Sequence, residues 1–123
     1  MATDNIKRSR AHEEWLRLFF VQLFAGVKLQ PGSGNQATAP NDIKVQNKFM
    51  IEAKCTVGKT MSVEHNWLKR STRLAAQFGL PAMVAIRFCG TLNDDYFIIS
   101  DSQLAYYASL EKENEQLRAQ HLV

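Results

Sequence analysis

The chain has 123 residues, of which 46% are hydrophobic, so it is long enough to bury a core as a single domain, residues 1–123. Its formal net charge is +3, which suits an anionic partner and excludes a strongly acidic protein. No apolar run approaches the length of a membrane span, and the N-terminal segment lacks the apolar region of a signal peptide. We therefore expect one soluble, unexported domain without membrane contact.

The first half of the chain predicts a helix followed by three strands. The helix covers residues 10–25 and ends at Gly26, with Leu18 and Val21 on a second side. Its main apolar face comprises Trp15, Leu16, Phe19, Phe20 and Leu23. Residues 1–9, which precede it, are polar and predict a loose basic arm. The three strands, separated by a loop rich in Gly and Pro and by a hairpin turn, are predicted at residues 27–30, 42–45 and 49–55.

The second half predicts a helix, two strands and a last helix. Ser62 is a suitable N-cap for a helix that runs to residue 78 and is stopped by Gly79. The remaining elements are strands at residues 82–89 and 96–100 and a last helix. We predict Asp101 or Ser102 as the N-cap of this helix and a polar end at residues 111–123. The order α-β-β-β-α-β-β-α predicts an α/β fold in which helices flank a central mixed β-sheet.

The stretch FMIEAKC, residues 49–55, contains the residues that suggest chemistry. Side chains alternate between the two faces of a strand, so Glu52 and Lys54 share one face. If residues 46–48 form a three-residue turn, Asp42 lies opposite Glu52, with about 5 Å between the Cβ atoms. A two-residue turn would instead place Asp42 on the apolar face, which is costly for a carboxylate. We therefore predict the three-residue turn.

Two facing carboxylates repel each other unless a cation lies between them. Asp42 and Glu52 therefore predict a site for Mg²⁺ or Mn²⁺, which bind through few carboxylates plus water. Lys54 beside such a metal could orient or deprotonate a water molecule, or stabilise a developing negative charge. Glu-x-Lys alone also occurs by chance as a weak surface ion pair. The aspartate ten residues upstream, in matching register, favours a metal-dependent hydrolytic site, and the surrounding basic loops favour a phosphodiester substrate.

These residues resemble the PD-(D/E)xK nuclease superfamily, in particular archaeal-type and phage-type Holliday junction resolvases. The resemblance covers residues 13–88 and includes an early Glu in the first helix, the PGSGN loop, NDI, FMIEAKC, and a basic helix leading to GLPAMVAIRF. Asn41 stands before Asp42 where the superfamily name has Pro. The resemblance implies a restriction-endonuclease-like core and a Mg²⁺-dependent, structure-selective DNA endonuclease, in which Mn²⁺ can replace Mg²⁺.

The resemblance also implies roles for individual residues. Asp42 and Glu52 would bind the metal together with the backbone carbonyl of Ala53, and Lys54 would be the catalytic lysine. Ser33, in the PGSGN loop, would contact the scissile phosphate, with a simple flexible connector as the alternative.

The N-terminal acid that the family implies, both a catalytic residue and a metal ligand, is Glu13 or Glu14. Helical phase favours Glu13, because it lies at the edge of the main apolar face, near Phe20, whereas Glu14 lies some 100° further round. The family spacing, with Leu16 three residues after the acid, favours Glu13 as well. Both glutamates are also ordinary acids of a first helical turn, where they complement the helix dipole.

Several basic residues are candidate DNA contacts. Lys69, Arg70 and Arg73 lie within one arc of the second helix, opposite a side that we expect to be buried and that includes Val63 and Trp67. A solvated helix face is the alternative. Further candidate DNA-binding residues are Arg8, Arg10, Ser33, Lys44 and Lys59.

The other residues of chemical interest are expected to be structural. His12, His65 and His121 show no ligand spacing and predict surface or capping positions. Cys55 and Cys89 predict buried, reduced thiols of a cytosolic protein.

Taken with the resemblance, the sequence predicts a Holliday junction resolvase that makes paired cuts in four-way junctions, in the cytoplasm of a prokaryotic cell or a phage-infected host. The expected partner is branched DNA, and no small-molecule cofactor is expected. Paired cuts require two active sites, so we expect a homodimer, formed through the second apolar side of the first helix or through the last helix. The alternatives are another nuclease of the superfamily that cuts duplex or nicked DNA, and a non-catalytic DNA-binding module of the same fold.

Overall fold

A computed structural model describes the backbone of residues 2–24, 29–31, 42–45 and 48–121. Side chains are described for residues 4–24, 43–45 and 48–121. Eight elements follow one another in the predicted order. Their bounds are α1 (Ala2–Leu23), β1 (Leu29–Pro31), β2 (Asp42–Val45), β3 (Phe49–Thr56), α2 (His65–Ala76), β4 (Ala82–Phe88), β5 (Asp94–Ile98) and α3 (Asp101–His121).

The strands form one mixed sheet in the order β1-β2-β3-β4-β5, with the short β1 at one edge. Neighbouring strands pair antiparallel except β3 and β4, which are parallel because α2 carries the chain back between them. The three-residue turn between β2 and β3 is confirmed, since Val45 pairs with Phe49 and the Lys48 N–H donates to the Val45 carbonyl at 3.0 Å. The same register pairs Asp42 with Glu52, as predicted.

Helix α1 covers one face of the sheet. Leu16 and Phe20, one helical turn apart, are buried against the apolar side of β2 and β3, and the Phe20 ring lies 5.2 Å from the Phe49 ring in an edge-to-face contact. Leu23 was expected on this face, but it is the last residue of the helix and is exposed. The buried core comprises Leu16, Phe20, Ile43, Val45, Phe49, Ile51, Ala53, Met83 and Ala85.

The N-terminal segment is helical and not loose, because α1 begins at Ala2. Two local interactions favour helix here. Asp4 lies in the first turn, where a negative charge complements the helix dipole, and the Arg8 guanidinium donates a hydrogen bond to Asn5 Oδ1 one turn earlier. The basic residues of this segment are therefore held on a helix.

Helix α2 lies on the opposite face of the sheet from α1 and is shorter than predicted. It begins at His65, after Glu64 in an extended conformation without a side-chain cap, so Ser62 is not its N-cap. Val63, expected to be buried, precedes the helix and is exposed, whereas Ala75 is buried. The predicted stop at Gly79 is confirmed: this residue has φ +69°. Its amide donates to the Ala76 carbonyl while the Leu80 amide donates to the Ala75 carbonyl, a Schellman motif.

Helix α3 begins at Asp101, but its cap is Ser100, whose Oγ accepts the Gln103 N–H at 3.1 Å. None of its residues 101–121 is buried, and the predicted polar end at 111–121 is helical and exposed. Within the described ranges, no helix combines the length and the apolar composition required to span a membrane.

The two cysteines are free, as predicted, but half-buried and not fully buried. Cys55 ends the apolar side of β3, and its Sγ lies 3.6 Å from the Ser9 Oγ of α1. Burial raises the pKa of the Cys89 thiol, and the adjacent Cys55 raises it further. The Cys55 side chain therefore lies against α1.

His12 is buried, contrary to the surface or capping position expected for it. It lies one turn before Leu16 and therefore on the same face of α1, with its Nε2 3.5 Å from Asp95 Oδ1. Arg87, also buried, donates two hydrogen bonds to the Asp95 carboxylate at 2.8 and 3.1 Å. Burial and, to a smaller extent, the nearby Arg87 lower the pKa of His12 to about 4, against the opposing effect of Asp95. His12 is therefore neutral at pH 7.

This burial predicts a pH-dependent stability. The unfolded chain protonates His12 near pH 6.5, whereas the folded chain leaves it neutral down to about pH 4. Between these values the unfolded state binds more protons, so the free energy of unfolding falls as the pH drops, by at most about 3 kcal/mol. The free energy of unfolding is measured with urea at several pH values in EDTA. Its slope against pH should be shallower for His12→Gln than for the wild type. His65→Gln, at an exposed histidine, is the control, and equal slopes for both variants would contradict this account.

Candidate active site

The site is built on the face of β3 that looks away from α1. Because side chains alternate along the strand, Ile51 and Ala53 enter the core while Glu52 and Lys54 lie on the other face. Glu52 is 6% exposed, and its Oε1 lies 3.2 Å from Nζ of the half-buried Lys54. The predicted pairing of a carboxylate and an ammonium on one face is confirmed.

The neighbouring strand brings a second acid to this position. Asp42 is the residue of β2 that pairs directly with Glu52, although its side chain lies outside the described part of the structure. Lys44, two residues further along β2, has its Nζ 4.6 Å from the centre of the Phe78 ring, just beyond α2. Contact with Phe78 shows that this face of β2 also looks toward α2.

Helix α2 adds three side chains to the pair on β3. Trp67 and Ser71 were not predicted as site residues, and Arg70 was predicted only as a DNA contact. Arg70 Nη2 donates to Glu52 Oε1 at 2.9 Å, and Ser71 Oγ donates to Glu52 Oε2. The Trp67 ring lies 5.0 Å from Lys54 Nζ, in a cation–π contact. Positions 70 and 71 each lie about one turn after position 67, and this i, i+3 and i, i+4 spacing is the signal that could have found them.

These contacts determine the charge of Glu52. Burial by itself raises the pKa of this carboxyl group, but the hydrogen bond from Ser71, the Lys54 ammonium and the Arg70 guanidinium together hold the pKa below its ordinary value. Glu52 is therefore an ionised carboxylate at neutral pH, nearly buried and surrounded by donors. An ionised oxygen donor of this kind is what a hard divalent cation requires.

Glu13 is half-buried on α1 and Glu14 is exposed, in agreement with the helical phase that favoured Glu13. Burial raises the pKa of Glu13, and Arg17 and Arg10 of the same helix oppose this shift. None of the groups that shift its pKa belongs to β3.

Among the side chains that the structure describes, no group of three or more His, Cys, Asp or Glu is arranged to hold a metal ion. A metal site here therefore depends on Asp42.

The candidate DNA-binding residues fall into two groups. Arg10, Lys59, Lys69 and Arg73 are exposed. Other members have partners within the protein: Arg70 contacts Glu52, Lys44 the Phe78 ring, and Arg8 contacts Asn5. The predicted position of Arg70 opposite Trp67 was wrong, because the two residues lie only about 60° apart around the helix, although the Arg70 side chain is exposed. Ser33 lies outside the described residues.

Comparison of the chain with protein-family models, with curated proteins and with solved structures finds no significant match.

Proposed function

We propose that the chain is a Mg²⁺-dependent, structure-selective DNA endonuclease of the PD-(D/E)xK type, with a restriction-endonuclease-like core, that makes paired cuts in four-way junctions as a Holliday junction resolvase. The observation that carries the proposal is the register of β2 and β3. It pairs Asp42 with Glu52 and leaves Lys54 beside Glu52, with 3.2 Å between Nζ and Oε1. Such a protein acts in the cytoplasm of a prokaryotic cell or a phage-infected host.

The acids of this site suit a hard cation. Glu52 is ionised, and strand alternation puts position 42 on the same face of the sheet. Asp42 and Glu52, with the Ala53 carbonyl as a further ligand, would hold Mg²⁺ or Mn²⁺. Glu13 is not included, because it lies on α1, which covers the opposite face of the sheet. When bound, the metal supplies Lewis-acid activation of the scissile phosphate.

Lys54 is the catalytic lysine of the proposal. Its ammonium group is fixed from two sides, by Glu52 Oε1 at 3.2 Å and by the Trp67 ring at 5.0 Å, and it remains partly open to solvent. A cation held in this way can orient the attacking water or balance the negative charge that develops on the phosphate oxygens. Two fixed contacts restrict its rotamers, which lowers the entropy lost on catalysis.

The substrate surface follows from the exposed basic residues. Lys69 and Arg73 project from α2, the helix that contacts Glu52, and Lys59 lies in the loop that follows β3. These residues, with Arg10 and Ser33 as further contacts, would bind the phosphates on either side of the scissile bond.

The catalytic test of the proposal is incubation with a labelled four-way junction beside a linear duplex of matched sequence.

Replacing either acid should abolish cleavage. Asp42→Asn and Glu52→Gln each remove a metal-binding charge at nearly constant side-chain volume, so we expect loss of turnover in Mg²⁺ of at least about a hundredfold. Junction binding should persist or tighten, because a negative charge near the phosphate is removed. Glu14→Gln, at the exposed neighbour of Glu13, is the control. Turnover at the wild-type rate in either site variant would mean that the site is wrongly assigned. If the wild type itself binds the junction but does not cleave it, a non-catalytic DNA-binding module is favoured.

The exposed basic residues of α2 should set the salt dependence of DNA binding. In Lys69→Glu/Arg73→Glu, two phosphate-binding charges are removed, so the slope of log K against log salt should fall by about 2. Lys112→Glu/Arg118→Glu makes the same charge change on α3 and should leave the slope near that of the wild type. Equal slopes for both double variants would mean that this face of α2 is only solvated. Fluorescence anisotropy at several salt concentrations measures the slopes.

The proposed dimer should form through α1. Leu18 and Val21 are 57% and 48% exposed, on the side of α1 that does not face the sheet. We expect a homodimer of about 28 kDa, twice the 14.0 kDa chain mass, because paired cuts need two sites. Light scattering should show Leu18→Asp/Val21→Asp as a monomer, and Leu92→Asp, at a residue 83% exposed in the β4–β5 connection, as a dimer. A monomeric wild type that makes paired cuts would contradict this prediction, and one that only nicks duplex DNA would favour another nuclease of the superfamily.

A further inference from the structure

Both carboxylate oxygens of Glu52 are engaged by α2. Oε1 accepts from Arg70 at 2.9 Å and lies 3.2 Å from Lys54 Nζ, while Oε2 accepts from Ser71. These are the atoms through which Glu52 would ligate a metal ion. A divalent cation at Glu52 therefore competes with donors that the protein itself provides.

Of these donors, Arg70 is the one able to leave. Its side chain is long and 63% exposed, whereas Ser71 has a short side chain fixed to the backbone of α2 and Lys54 is held by Trp67. A guanidinium 2.9 Å from a carboxylate oxygen would also repel a divalent cation on that oxygen. Metal binding to Glu52 consequently favours the release of Arg70.

The released guanidinium has a natural second partner. Arginine binds carboxylates and phosphates with the same planar arrangement of N–H donors. Arg70 lies on the same helix as the exposed Lys69 and Arg73, one turn or less away, so a phosphate bound at this helix is within its reach. Glu52 and a substrate phosphate therefore compete for one guanidinium.

We propose, on the basis of the nuclease function above, that Arg70 is a positioning residue that exchanges Glu52 for a substrate phosphate and so couples metal binding to DNA binding. In the absence of DNA, Arg70 neutralises Glu52 and weakens its affinity for metal. DNA draws Arg70 away and strengthens metal binding, and by linkage the metal strengthens DNA binding by the same factor. With this coupling, the metal ion would bind more tightly to protein that has already bound DNA.

The test compares Arg70→Gln with Arg73→Gln, which makes the same charge change three residues along the helix. Mn²⁺ affinity is measured without DNA by electron paramagnetic resonance, with Glu52→Gln as the reference for binding at this site. We expect Arg70→Gln to bind Mn²⁺ about three- to tenfold more tightly than the wild type, a range that reflects a charge-assisted but partly exposed contact. Arg73→Gln should change the affinity less than about twofold, because the remaining charge effect is screened.

The second measurement is the coupling itself. Junction affinity is measured by anisotropy with and without Ca²⁺, which is expected to support binding without cleavage. The ratio of the two affinities should be smaller in Arg70→Gln than in the wild type, and it should stay at the wild-type value in Arg73→Gln even though that variant binds DNA more weakly.

The outcomes separate this inference from the proposed function. If the wild type binds Mn²⁺ through Glu52 and Arg70→Gln binds it no more tightly, the exchange is wrong and the metal site stands. If neither protein shows Mn²⁺ binding that depends on Glu52, the metal site itself is wrong, and the exchange is overturned with it. Tighter binding with an unchanged coupling ratio would also overturn the exchange, because Arg70 would then act on the metal through charge alone.

Discussion

The pairing of β2 with β3 is the constraint on which the fold and the site depend. The three-residue turn places Ile43 and Val45 beside Phe49 and Ile51 in the core. A slip of one residue would turn these side chains to the opposite face and bury charged ones in their place. The register that completes the core is also the one that pairs Asp42 with the residue opposite. Core packing and site geometry are therefore fixed by the same hydrogen-bond ladder.

Helix α2 provides hydrogen-bond donors that the nearly buried carboxylate of Glu52 requires. A carboxylate that is 6% exposed is costly unless donors surround it, and Glu52 receives them from Lys54 on its own strand and from Arg70 and Ser71 on the helix. A carboxylate held in this way is ionised and in place before a metal ion or substrate binds, and this preorganisation is what an active site requires.

Much of this arrangement could be predicted from sequence, and the failures have physical causes. The register was predictable because strand alternation, turn length and the cost of burying a carboxylate all favoured one pairing. The start of α2 was not, since Ser62 has the propensity of a cap but makes no capping contact with the helix. His12 was taken for a surface residue on its chemistry, although it lies one turn before the buried Leu16. The contact of Arg70 with Glu52 was missed, because the demand of Glu52 for a donor appears only when helix and sheet are packed together.

The central claim is that β2 and β3 together hold a divalent metal ion, and paramagnetic broadening by Mn²⁺ tests it most directly. In a titration of isotope-labelled protein with substoichiometric Mn²⁺, amide signals near the bound ion disappear first. We predict early loss of signals from Asp42, Glu52 and Ala53, and no such loss in Glu52→Gln. Broadening that begins at the acidic end of α3, around Glu113, while the signals of β3 persist, would contradict the claim.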